Sequence, residues 1–295
     1  MNWCRSIATL SLCLLLSACA DAVALPPAQA LSADAATLQA LPGAGAGTLS
    51  VSAARNLTLP ARDGQREIQL HLYYPASGSG YPLLLCSHGN WSNKDSYDRI
   101  IEYWVSHGYV VVAADHLDCC SAVKGIFNSL RYGQLGLIEG RVLDLKRLLD
   151  SLPALALLDP GFAGKADVSR VGLTGHSFGA FSAQQFGGAM AFDPDTEQFL
   201  AGEMPRVDAV VALSPPGPMF DTITAGSWQA LATPTLVTTG TWDVQPRFWP
   251  DWRMQLMSWE TSLPGAQSAL VGGGADTSRG DVMSRPERDA HHQRK

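Results

Sequence analysis

The 295-residue chain is long enough for one large domain and a tail, and 46 % apolar with 16 % charged residues excludes a predominantly disordered protein. Its net charge of −6, with no cluster of Lys and Arg, excludes a nucleic-acid-binding face. Six cysteines without CxxC or Cys/His spacing give no zinc site, and nothing else in the pattern asks for a metal or a cofactor.

Arg5 precedes an apolar stretch of 12 residues, Ile7–Ala18. As a helix it reaches roughly 18 Å, short of the about 30 Å of a bilayer core, so it reads as an export signal and not a span. Leu16-Ser17-Ala18-Cys19 resembles the bacterial lipobox, in which small residues precede a cysteine that is acylated and becomes the mature N-terminus. The resemblance implies a signal peptide over 1–18, palmitate-type acylation at Cys19 and a membrane held through that lipid anchor. The first charge after Cys19 is Asp21, not the adjacent position, which favours the periplasmic side of the outer membrane. Residues 19–47, rich in Ala, Pro, Gly and Gln, read as a flexible tether, 48–290 as the folded domain and 291–295 as a tail. Export permits disulfides. Cys86 reads as a buried core thiol, while Cys119 and Cys120 are open to pairing with Cys86, with each other, or not at all.

Within the domain, strand and helix patterns alternate. Glu67–Tyr74 alternates like an antiparallel strand, and the apolar runs Tyr81–Ser87 and Tyr109–Asp115 read as buried strands. Ser96–His107 reads as a helix ended by Gly108, and Leu137–Leu152 has helical spacing. Val168–Thr174 reads as a strand, Phe178–Met190 as a helix, and Val207–Leu213, Thr235–Thr239 and Ala269–Val271 as further strands. Asp193–Pro205 reads as a modest loop, and no stretch is long enough for a large lid. The alternation predicts an α/β fold with a mostly parallel, doubly wound sheet, whose reactive groups belong on loops at strand C-terminal ends.

Gly175-His176-Ser177-Phe178-Gly179 matches the G-x-S-x-G elbow, and its context is right: VSRVGLT runs into it and FGAFSAQQFGGAM leads out. The two glycines let the chain turn sharply, so Ser177 is the candidate nucleophile. An oxyanion needs backbone N–H groups aimed at the developing charge. Phe178 supplies one, and Asn90, in the loop after YPLLLCS, supplies the second; His88 beside it reads as a loop-orienting residue.

The segments SHGN at Ser87–Asn90, then Tyr97, SHGYVVVAADH ending at His116, EGRVLDLKRLLDSL with Arg141 and Asp144, and GHSFGA come in one order. Together they resemble the α/β-hydrolase branch of dienelactone hydrolases, chlorophyllases and platelet-activating-factor acetylhydrolases, over roughly Thr58–Glu287. The resemblance implies ester hydrolysis through an acyl-enzyme at Ser177, with Asn90 and Phe178 as oxyanion donors, no cofactor, and Asp115 and His116 as structural residues. The small-molecule ester substrate is expected to be hydrophobic, since Trp91, Trp242, Trp249 and Trp252 fall on strand-end loops. The protein is expected to be a monomer.

Triad order in this fold is Ser, acid, His. Asp243, after TLVTTGTW, is the expected acid, with Asp221 and Asp251 as rivals. After the last strand the family usually reads Gly-Ala-Asp-His, but this chain has Thr277 at the His position. Threonine is no base near neutral pH; His291, with His292 as rival, is the remaining candidate beyond Asp243. Three readings stay open: an active esterase with a displaced histidine, an impaired hydrolase that binds ligands as a surface lipoprotein, or a functional protein whose C-terminus differs from this one.

Overall fold

The computed structural model describes residues 40, 45–202, 207–244, 249–264 and 267–272. The expected signal peptide, Cys19, Thr277, His291 and His292 lie outside the described residues.

The main sheet is built from β1 (Val51–Leu59), β2 (Ile68–Pro75), β3 (Tyr81–Ser87), β4 (Val110–Ala114), β5 (Ala166–His176), β8 (Ala209–Leu213), β9 (Thr235–Gly240) and β10 (Gln267–Gly272). They lie in the order β1-β2-β4-β3-β5-β8-β9-β10. β2 pairs antiparallel with β1 and β4, and every other neighbouring pair is parallel. β4 is VVVAA and buried at every position, as a strand covered on both faces must be. The α/β, mostly parallel expectation therefore holds.

Helices flank both faces. α1 (Asp98–Ser106) sets Ile101 and Val105 against Tyr73, Cys86, Val111 and Ala113. On the opposite face, Val142, Leu145 and Leu148 of α2 (Ala122–Asp150) and Leu155 of α3 (Leu152–Leu158) pack on Leu70, Leu72, Leu85, Val112 and Leu173. Gly47, the last residue of the expected tether, already donates its N–H to Ser106 Oγ at 3.1 Å.

Three elements depart from the sequence pattern. α2 starts at Ala122, well before the expected Leu137, and breaks at Gly133 (φ 69°, ψ 171°) into two arms. The first arm escaped prediction because its apolar residues face outward instead of marking a core. α4 (Phe178–Gln185) stops short of Met190, since Gly188 turns with φ 113° beneath the Ala230 carbonyl. The expected loop from Asp193 is instead part of a hairpin, β6 (Met190–Asp193) with β7 (Gln198–Ala201).

α4 is fastened by Trp228, which is fully buried. Its indole meets Phe181 edge-on at 6.0 Å between centroids and donates to Gln184 Oε1 at 2.9 Å. Trp228→Ala removes this packing and strands the Gln184 oxygen, so it is expected to cost about 3–5 kcal/mol in urea unfolding. A loss under about 1 kcal/mol would contradict an anchoring role.

Candidate active site

Ser177 joins β5 to α4 with φ 52° and ψ −122°, a backbone that L-residues rarely adopt. The turn is held by close packing. A Cβ on Gly175 would collide with the Gly179 carbonyl, and one on Gly179 would collide with the carbonyls of Ser87 and His88. Ser177 N–H donates to Leu213 O at 2.9 Å, tying the elbow to the end of β8. Phe178 is the first residue of α4, so its N–H belongs to the helix N-terminus and not to an intrahelical bond.

Asn90 and Trp91 form the centre of a turn closed by Ser92 N–H to Gly89 O at 3.2 Å. Trp91 takes φ 60° there. Asn90, Ser177, Phe178 and Asp243 line one cavity of about 280 Å³. The four positions come from the ends of three different strands, as in open α/β sheets with ligand sites at strand C-terminal ends. Asp243 is buried in the loop after β9. Gln255 Nε2 donates to its backbone carbonyl at 2.9 Å, and Thr239 Oγ1 donates to Gln255 Oε1 at 2.6 Å. The rivals lie elsewhere: Asp221 is exposed, and Asp251 caps a short 3₁₀ turn and pairs with Arg253. Of the four tryptophans, Trp91 and Trp249 reach the cavity wall; Trp242 and Trp252 are not among its lining residues.

Among the described histidines, His176 alone lines the cavity. Its Nδ1 pairs with Tyr97 Oη at 2.9 Å, and the same Oη accepts from Gly89 N–H at 3.1 Å. His88 and His116 are buried behind the Asn90 turn. His116 N–H donates to His88 Nε2 at 3.0 Å, which places the proton of neutral His88 on Nδ1, facing Gly89 O at 2.7 Å. Ser87 Oγ donates to His116 Nε2 at 2.9 Å, and His116 Nδ1 donates to Asp144 at 3.0 Å. This Ser-His-Asp chain is buried, and none of its three residues lines the cavity of Ser177.

Arg141 ties these parts together. It is 1 % exposed and makes a two-pronged pair with Asp118, at 3.0 and 2.7 Å. It also donates to His88 O at 2.6 Å and Gly89 O at 3.3 Å, and its guanidinium lies 4.7 Å from the centre of the Phe178 ring. One buried cation thus touches both the turn that carries Asn90 and the residue after Ser177. Burial pushes the Asp118 carboxyl upward, but the Arg141 charge and hydrogen bonds outweigh it and hold it well below the usual carboxylate range. Burial and then the Arg141 charge keep both His88 and His116 below the ordinary histidine value, His88 far below.

Asp118, Gln255 and Ser214 had no role in the sequence reading. Ser214 follows the apolar run VVAL and lines the cavity, so the strand-end rule was the signal that pointed to it. Asp118 and Gln255 carry no local signal; only the fold brings them to Arg141 and to the Asp243 loop. Cys119 and Cys120 are disulfide-bonded to each other, and Cys86 is a free buried thiol that burial pushes up to about 12.

The buried neutral histidines set a pH dependence. Below about pH 6.5 the unfolded chain protonates them more readily than the folded chain does. Their stability contribution is complete above that pH and falls as pH drops, at up to about 1.4 kcal/mol per pH unit for each. The depressed Asp118 adds a further loss only below about pH 4, as pH falls toward its folded value. The urea midpoint is therefore expected to fall between pH 7 and pH 5; a flat profile would contradict neutral, buried His88 and His116.

A comparison with protein families matches residues 48–196, about half of the chain, to the family described as Chlorophyllase. No curated protein matches the chain. The matched region takes in the Asn90 turn, Arg141 and the Ser177 elbow, and Asp243 lies beyond it. The chain belongs to the chlorophyllase family, a family of esterase-like hydrolases within the α/β-hydrolase superfamily.

Proposed function

We propose that this protein is a serine hydrolase of carboxylic esters, held at the cell envelope by a lipid on Cys19. The observation that carries the chemistry is that Ser177, Phe178, Asn90 and Asp243 line one cavity, and the Phe178 and Asn90 amides are the oxyanion donors in this reading. Ser177 Oγ attacks the ester carbonyl carbon and its proton passes to a histidine base. The carbonyl oxygen becomes an oxyanion between the two N–H groups, where fixed dipoles stabilise it. The C–O bond breaks, the proton goes to the departing alcohol, and the acyl group stays on Ser177. Water then repeats the sequence and releases the acid. Asp243 orients the base and stabilises its cationic form. His291 is the assigned base and His292 its rival; both must reach back to the cavity from the end of the chain.

The cavity suits a small hydrophobic acyl group, with Trp91, Trp249, Met219 and Phe220 as apolar wall. A second reading rests on Thr277: with threonine at the family's histidine position, the protein is a ligand-binding lipoprotein that keeps the fold and has lost turnover.

Kinetics on a short-chain aryl ester separate the two. Ser177→Ala is expected to lower kcat by about 10⁶-fold and Asp243→Ala by about 10⁴-fold. The His291→Ala/His292→Ala double variant is expected to match Ser177→Ala; full activity in that variant excludes both as base. No Ser177-dependent turnover, with an ester analogue still bound, favours the second reading. For the anchor, metabolic palmitate is expected to label the wild type and not Cys19→Ala; equal labelling of both would contradict acylation at Cys19.

A further inference from the structure

The first arm of α2 is an amphipathic helix turned inside out. Val123, Ile126, Phe127 and Leu130 are 81, 49, 61 and 83 % exposed. At about 100° per residue they form one stripe, at i, i+3, i+4 and i+7. The other side is pinned to the domain: Gly125 lies under the Trp91 indole, and Asn128 Nδ2 donates to Leu117 O at 2.7 Å. Lys124 and Arg131 flank the stripe on one edge, and both are exposed. From Ser121 to Ile138 there is no Asp or Glu, in a chain of net charge −6. Tyr132, 44 % exposed, closes the arm under the Arg131 guanidinium at 5.2 Å. Gly133 then breaks the helix.

We infer that this arm is an in-plane docking surface for an anionic phospholipid membrane. Its composition is that of an interfacial helix: an apolar stripe, cations on the flank and an aromatic at the edge. No helix in the described residues is long and apolar enough to cross a membrane, so the arm lies on the surface and does not span. Charge selects the occupant. Anionic headgroups complement Lys124 and Arg131, whereas a second copy meeting this face about a two-fold axis would set like charges together. Trp91 lines the cavity wall and covers the inner side of the arm at Gly125, so the arm stands beside the cavity. Docking therefore brings the cavity close to the lipid surface. The inference does not depend on Ser177 being a working nucleophile.

Segment-resolved hydrogen exchange on the full chain carrying Cys19→Ala tests it, since binding through the leader leaves amides 122–132 unaffected. Vesicles containing phosphatidylglycerol are expected to slow exchange in 122–132, with affinity about fivefold higher per cation than for phosphatidylcholine alone. Phe127→Asp/Leu130→Asp, both at exposed positions, is expected to abolish the slowing while β3 to β5 exchange as before. Unchanged exchange in 122–132, whether or not the chain binds vesicles, overturns the inference. Slowing without lipid that grows with protein concentration overturns it in favour of a second copy. Slowing in dilute, lipid-free protein that disappears on deleting residues 7–18 overturns it in favour of the leader.

Discussion

Everything at the site depends on how closely α4 approaches the end of β3. Only a hydrogen at position 179 fits against the Ser87 and His88 carbonyls, and only a hydrogen at 175 fits against the Gly179 carbonyl. That contact forces Ser177 into positive φ and sets the start of α4 beside the Asn90 turn. The strain at Ser177, of the order of 1–3 kcal/mol, persists because packing on both sides leaves no other path. The same geometry exposes the hydroxyl at a helix N-terminus, where dipoles favour developing negative charge.

The second constraint is electrostatic. Arg141 and Asp118 are both fully buried, an arrangement in which loss of either partner typically costs about 3–5 kcal/mol. The guanidinium satisfies the carboxylate with two bonds and gives its remaining donors to the His88 and Gly89 carbonyls and to Ser87 Oγ. The carbonyl sides of the turn face the cation, and the turn's opposite side lines the cavity. His116, in its bonding to Ser87 and Asp144, resembles a catalytic histidine, but burial favours the neutral form of both His116 and His88.

The fold was legible because its signals are local and physical: buried strands are unbroken apolar runs, and G-x-S-x-G between a strand and a helix has few alternatives. Ser177, Phe178, Asn90 and Asp243 were legible for the same reason, as strand-end residues in a sheet of known handedness, and all four meet at one cavity. Asp118 and Gln255 were not, because each acts on a partner more than ten residues away. The first arm of α2 was missed for the opposite reason: helix recognition assumes that apolar periodicity marks a core, and here it marks the exterior. The pairing of Cys119 with Cys120 was one of three options, and sequence spacing does not rank them. Thr277 was visible at once as a departure, yet composition alone does not say whether a distant histidine replaces the missing one.

The proposed chemistry needs one oxyanion site between Ser177, Phe178 and Asn90. A crystal structure of the chain after reaction with an alkyl phosphonate ester tests it most directly, because the adduct mimics the tetrahedral intermediate. Phosphorus is expected on Ser177 Oγ, with one phosphoryl oxygen accepting from the Phe178 and Asn90 N–H groups. Phosphorus on another residue, or that oxygen turned away from both amides, would contradict it.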